Sequence, residues 1–198
     1  MAPQHKNFSL NLADEIRRGA VGVIPTDTIY GIVGSALYPK AVSRIDKLRN
    51  RDLTKPFIVI ISSVGDLKSF GVRLNGRMSD ILKRVWPGKV SVLLPVSDGK
   101  FSYLHRGTER IAFRLPAKKS LREFLKDSGP IVAPSANWSG EPPARNIREA
   151  RRYFGDRVDF YLDKGDLESL PSTLVSLEGN RLRVLRQGSV KIAKSLIL

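Results

Sequence analysis

Residues 57–61, Phe-Ile-Val-Ile-Ile, restrict the fold of this chain more than any other stretch. Every residue after Phe57 is β-branched, and none is polar. Such a run stiffens into a strand. Without alternation between apolar and polar positions, both of its faces must be buried. The segments on either side of it show the helical spacing that a flanking layer needs. Leu10, Ala13 and Ile16 predict a helix over 9–19, with Ser9 as its cap and Gly19 at its end. Val42, Ile45 and Leu48 predict a second over 40–49. Further helices are expected at 78–85, stopped by Trp86-Pro87-Gly88, at 118–127, and at 147–154 behind Asn146.

Short apolar runs at 21–25, 90–96, 110–116 and 130–134 read as further strands, and more follow near 158–162, 172–177 and 182–186. Strands that alternate with helices give an α/β fold. The last strands have no helix between them. The expected sheet is therefore twisted, mixed and partly antiparallel, flanked by helices, and not doubly wound. No repeat, linker or low-complexity tract interrupts the 198 residues, and one domain over 1–198 is expected. No apolar run approaches the ~18 residues of a membrane span. Residues 1–12 lack the apolar core of a secretion signal, so a cytoplasmic protein is expected.

Composition removes several chemistries. There is no cysteine, which excludes disulfides, thiolate metal sites and a thiol nucleophile. The two histidines, His5 and His105, lie far apart in sequence, and His105 reads as an ordinary loop residue. Neither a G-x-G-x-x-G nor a G-x-x-x-x-G-K-[ST] phosphate cradle is present. The net charge of +15 favours polyanionic partners such as nucleotides or RNA. Arg145, Arg148 and Arg152 share one helical face, either a solvated charged face or a stripe for an RNA backbone.

Loops that follow strands collect hydroxyl, amide and cationic groups. Thr26 and Thr28 sit on one, Ser135 and Asn137 on a second, Ser172 and Thr173 on a third. Arg49, Arg51 and Lys55 precede the buried run, and Arg114 ends another strand. The set is poor in general bases and rich in anion binders. It suits phosphoryl or nucleotidyl transfer, carried by positioning and charge stabilisation.

The motifs occur in the order of a known family. Pro25-Thr26-Asp27-Thr28-Ile29-Tyr30-Gly31 resembles P-T-[DE]-T-[VI]-Y-G. Trp86-Pro87-Gly88 matches W-P-G, and Ile111 to Pro116 resembles V-A-[VF]-R-[ML]-P. Ala133-Pro134-Ser135-Ala136-Asn137-Trp138-Ser139-Gly140 matches A-P-S-A-N-x-S-G. Pro171 to Val175 resembles the S-T-[VI] strand, and Arg186-Gln187-Gly188 the closing R-x-G. Together, over about residues 10–190, they resemble the YrdC family of threonylcarbamoyl-AMP synthases. Arg49 stands where the family has Lys, which keeps the charge but spreads it over a fork. Asp52 replaces a Pro, and Asp163-Lys164-Gly165 stands for a D-G-G stretch.

The resemblance implies an open, concave, basic face on the sheet. It also implies an adenylyl-transferring enzyme that joins L-threonine, bicarbonate and ATP into threonylcarbamoyl-AMP and pyrophosphate. The product would pass through partner proteins to adenosine 37 of tRNA. By the same resemblance Thr28, Arg114 and Ala133 would meet threonine. Arg51, Lys55, Ser135, Asn137, Ser172 and Arg186 would hold ATP, with Mg²⁺ carried mainly by the nucleotide. Arg49, Arg51, Ser135 and Asn137 would act on the reacting phosphate, and the basic face could touch tRNA directly. Two alternatives stay open from sequence: a paralogue of the same fold that binds nucleotide or RNA without this activity, and a carbamoyl-transfer domain of the hydrogenase-maturation type.

Overall fold

The computed structural model describes residues 1–50, 57–179 and 181–197. Among these residues ten strands form one sheet. They are β1 (Gln4–His5), β2 (Gly22–Pro25), β3 (Tyr30–Ser35), β4 (Ile58–Ile60), β5 (Val90–Pro95), β6 (Arg110–Arg114), β7 (Ile131–Val132), β8 (Phe160–Leu162), β9 (Thr173–Glu178) and β10 (Arg181–Arg186). The helices are α1 (Leu10–Arg17), α2 (Pro39–Arg49), α3 (Gly76–Val85), α4 (Ser102–His105), α5 (Lys119–Ser128) and α6 (Ile147–Phe154). The strand order is β1-β8-β2-β3-β7-β4-β6-β5-β9-β10. Parallel pairs such as β4 with β6 mix with antiparallel ones such as β5 with β6 and β9 with β10. The expectation of a mixed sheet therefore holds.

The buried run sorts its side chains to the two faces, as the period of a strand requires. Phe57, Val59 and Ile61 join the larger core, which α2, α3, α4 and α6 cover. Ile60 joins a smaller core on the opposite face. There α1 and α5 lay down Leu12, Ala13, Ile16, Leu121, Phe124 and Leu125 against Ile24, Val33, Ile131 and Phe160. Both helices carry caps that the sequence announces or tertiary contacts supply. Ser9 accepts from the Leu12 amide at the start of α1. Arg17, in its last turn, donates to the Asp127 carbonyl of α5.

The α1–α5 pair does not cover the whole of that second face. Ile58 shares the face with Ile60 but is only half-buried, and it lines a cavity. In register beside it lie Ala112 opposite Ile58 and Arg114 opposite Ile60 on β6. The uncovered end of the face is where polar groups collect.

Several elements depart from the sequence reading: β1 and α4 were not expected, α4 placing His105 at the end of a helix, and two others differ in kind. Residues 26–31 were expected as a loop, yet β3 begins at Tyr30 and runs between β2 and β7. Its glycines conceal the strand signal. Gly34 is needed because α2 packs so closely that a Cβ there would lie 3.2 Å from both Ala41 Cβ and Ile45 Cδ1. On β6, alternating apolar and basic residues were expected. Arg110 is half-exposed, but Ile111 through Arg114 are all buried. Burial of Arg114 is tolerated because partners converge on it from two other segments.

Candidate active site

A small cavity of about 70 Å³ opens at the uncovered end of the second sheet face. Its walls come from six separated segments: Thr26, Thr28, Ile29 and Gly31; Ile58; Arg114; Ala133, Pro134 and Ser135; Pro171 and Ser172; and Arg186. Six of the residues expected from sequence therefore meet here: Thr28, Arg114, Ala133, Ser135, Ser172 and Arg186. Arg51 and Lys55 lie outside the described residues.

The loop after β2 is shaped by its own hydroxyls. Thr26 Oγ1 donates to the Ile29 carbonyl at 2.7 Å and accepts from the Thr28 amide at 3.1 Å. The two hydroxyls stand 3.0 Å apart. This turn aims Thr28 Oγ1 at Arg114, whose Nη1 donates to it at 3.3 Å. Arg114 Nη2 faces Asp27 Oδ1 at 3.3 Å, and both side chains are only 4% exposed. Asp27 Oδ2 accepts from the Ala117 amide, just beyond β6. Burial pushes the Arg114 guanidinium down from its ordinary pKa, Asp27 pushes back up, and Arg186 lowers it further. Arg114 Nε is buried with no hydrogen-bond partner among the described residues. A guanidinium in a cavity wall is suited to receive a carboxylate or phosphate oxygen.

Behind the cavity, Arg49 at the end of α2 grips the turn that follows β7 in three places. Its Nε donates to the Asn137 carbonyl at 3.2 Å. Its Nη2 donates to Ser135 Oγ at 3.3 Å. Its own carbonyl accepts from the Ser139 amide at 2.8 Å. Arg49 is buried, which pushes its pKa down, while Asp46 pushes it back up. Asn137 Nδ2 is spent inside the same turn, donating to the Trp138 and Glu141 carbonyls at 2.7 Å each. Its Oδ1 is buried without a partner. Arg49 and Asn137 thus shape the turn, while Ser135 lines the cavity.

The far wall depends on one close approach. A Cβ on Gly188 would lie 2.3 Å from the Pro171 carbonyl oxygen and 2.6 Å from that of Ser172. Only glycine lets the chain after β10 cross the segment that leads into β9. The crossing is tied by the Gly188 amide to Thr173 Oγ1 at 3.1 Å and by the Ser189 amide to the Pro171 carbonyl. It brings Arg186 Nη2 to the Ser172 carbonyl at 2.9 Å. Ser172 Oγ pairs with Ser91 Oγ at 2.9 Å, fully buried between β5 and β9.

A larger cavity of about 900 Å³ adjoins this one, sharing Ile29 and Pro171 with it. It is walled by Pro142, Pro143, Arg145, Arg152, Tyr153 and the 167–170 segment. The volumes divide the two by ligand. The smaller admits a few heavy atoms, and the larger lies in the range of cofactor-sized ligands. Sequence reading did not find Asp27, Ile29 or Pro171 as lining or supporting residues. Asp27 and Pro171 were legible only as motif letters, and the cavity between Ile29 and Pro171 has no sequence signal.

The basic face on α6 is divided. Arg151 turns inward, 4.2 Å over the Tyr161 ring, and donates to the Ala2 carbonyl. Arg145 pairs with Glu149. Arg148 and Arg152 are exposed.

Comparison with known proteins identifies the family of this chain. The profile of the Sua5, YciO and YrdC family, described as telomere recombination, matches residues 14–188. A Mycobacterium tuberculosis relative, whose name of threonylcarbamoyl-AMP synthase is provisional, is 32% identical over 176 residues, covering 88% of this chain and 81% of its own. A Hahella chejuensis threonylcarbamoyl-AMP synthase is 32% identical over 174 residues, covering 87% and 94%. The crystal structure of Pyrococcus abyssi Sua5 complexed with L-threonine aligns with a TM-score of 0.85 at 28% identity over 95% of this chain. This chain spans 57% of that longer one. With one profile running from α1 to the Gly188 crossing, and the same sheet in Sua5, the chain belongs to the Sua5/YciO/YrdC family.

Proposed function

We propose that this chain is an L-threonylcarbamoyladenylate synthase, an adenylyltransferase that makes threonylcarbamoyl-AMP and pyrophosphate from L-threonine, bicarbonate and ATP. The observation that carries the reading is the buried Arg114 guanidinium in the wall of a cavity that it shares with the Thr, Ser and Arg motif residues. A related protein with this fold, the Pyrococcus abyssi Sua5, has been crystallised with L-threonine.

In this reading Arg114 and Thr28 receive the threonine carboxylate, and Ala133 closes one wall of that pocket. The threonine nitrogen then attacks bicarbonate carbon, water leaves, and a carbamate forms. A carbamate oxygen attacks the α-phosphorus of ATP. The new O–P bond forms as the bond to pyrophosphate breaks. The developing charge lies on phosphate oxygens, which favours fixed donors over a general base. Ser135 supplies one such donor. Arg49, which holds its Oγ, supplies the neighbouring positive charge. Asn137 keeps the turn in shape. Ser172 and Arg186 line the ATP side next to the larger cavity, which takes the nucleoside. Arg51 and Lys55 complete the triphosphate contacts, and Mg²⁺ arrives on the phosphates.

We further read residues 1–198 as one YrdC-like domain working in the cytoplasm, with tRNA-modification proteins taking its product to adenosine 37 of tRNA. Arg148 and Arg152 are the exposed cations available for direct contact with RNA. Among the described residues no helix is long and apolar enough to cross a membrane. The test is pyrophosphate release from ATP and Mg²⁺. Release that requires both threonine and bicarbonate supports the synthase, and release indifferent to threonine overturns it.

A further inference from the structure

Arg106 lies outside the cavity and outside every motif, yet its backbone is unusual. It ends α4 in the left-handed region at φ 56, a conformation that a non-glycine residue keeps only when its surroundings hold it there. Its amide closes the helix on the Ser102 carbonyl at 2.8 Å. Its side chain is 10% exposed and forms an ion pair with Asp46, which is 11% exposed. The guanidinium also lies over the Phe57 ring, 5.1 Å from its centre.

Asp46 is one helical turn before Arg49, on the same face of α2, and both are buried. The partner found for the Asp46 carboxylate among the described residues is Arg106, and its other oxygen is buried without a hydrogen bond. α2 ends directly after Arg49, with Asn50 left-handed at φ 48.

We propose that Arg106 is a positioning residue for Arg49: by holding Asp46 it fixes the last turn of α2, so that Arg49 meets Ser135 Oγ and the Asn137 carbonyl. Asp46 also leaves a negative charge close enough to raise the pKa of Arg49 against burial. The catalytic consequence rests on the synthase reading above, whereas the positioning itself does not. The placement makes α4 part of the support for the 135–139 turn, although no atom of α4 lines the cavity.

The experiment follows the Nε–H of Arg49 in full-length protein labelled with ¹⁵N-arginine, assigned by its loss in Arg49→Lys. In the wild type this proton is held against the Asn137 carbonyl and exchanges slowly. In Arg106→Met and Asp46→Asn its exchange should quicken by about tenfold or more, while the Arg114 Nε–H, in a different segment, is unchanged. Pyrophosphate release should lose about tenfold or more in kcat, with KM for threonine within about twofold, because Arg114 and Thr28 are untouched. Arg106→Lys keeps the charge on Asp46 and should restore most of both signals. Unchanged Arg49 exchange in both Asp46→Asn and Arg106→Met, together with full kcat, would overturn the proposal. If Arg49 exchange quickens but even the wild type releases no pyrophosphate, the positioning stands and the synthase reading falls.

Discussion

Replacing Asp27 by Asn removes the one carboxylate that faces the buried guanidinium of Arg114. The two groups stand 3.3 Å apart, each 4% exposed. At an effective dielectric of about 20, their attraction is about 5 kcal/mol. Not all of it is lost, because the asparagine oxygen can still accept and Thr28 Oγ1 still receives Nη1. Breaking a buried pair from one side costs about 3–5 kcal/mol, and the remaining partners put this case near 3. For a chain of this size that is a fall in melting temperature of about 6–12 °C. Threonine should then stabilise Asp27→Asn more than it stabilises the wild type, since its carboxylate supplies the missing charge. Adding Arg114→Met to the same chain removes the orphaned cation and should recover most of the loss. The assay is thermal unfolding by circular dichroism with and without threonine. If Asp27→Asn melts within about 1 °C of the wild type, Arg114 does not depend on Asp27 for its charge and the account of this site fails.

Three further substitutions probe two walls of the site and the buried phenol of Tyr161 on β8. Ser135→Ala leaves Arg49 Nη2 without its hydroxyl partner. It should cost about 1 kcal/mol in stability but about a hundredfold in kcat for pyrophosphate release, and an equal fractional loss in both would place Ser135 in a structural role only. Gly188→Ala drives a methyl into the Pro171 and Ser172 carbonyls and should destabilise by about 1–3 kcal/mol. It should also raise KM for ATP as Arg186 is displaced, and a normal KM would separate the crossing from the nucleotide. The Tyr161 phenol is pushed up to about 12 by burial. Its contribution to stability is complete below the ordinary value near 10 and is lost as pH rises from there to about 12. Thermal melts between pH 10 and 12 should therefore fall less steeply in Tyr161→Phe, and an unchanged slope would show that the phenol ionises freely in the folded protein.

Much of the framework is readable one segment at a time. Ser9 and Asn146 cap α1 and α6 as their side chains suggest. The run 57–61 is buried on both faces as its composition demands, except at Ile58, which is half-buried where the cavity opens. The six expected residues among those that line the small cavity were each visible as a hydroxyl or a cation in an ordered motif, or as the alanine that opens A-P-S-A-N. Such features are local, since capping, periodicity and turn chemistry depend on residues within a few positions of each other. β3 escaped because its signal is inverted: Gly31 and Gly34 weaken a strand on paper, and their tight surroundings become visible only when the 133–134 segment is seen against Gly31 and α2 against Gly34.

The sequence by itself therefore determined the class of fold, most of its helices and strands and the chemical inventory of the site. Tertiary structure alone decided which of those groups face the cavity and which support it. Asn137 and Arg49 looked equivalent to Ser135 along the chain, yet they spend their donors on the turn itself. Asp27 became the counter-charge of Arg114, and Arg106 met Asp46, only because β6 and α4 were brought beside segments 60 to 87 residues away. The reason is physical. A buried charge is tolerable only where opposite charge and hydrogen-bond partners converge on it, and that convergence is a property of packing across the whole sheet.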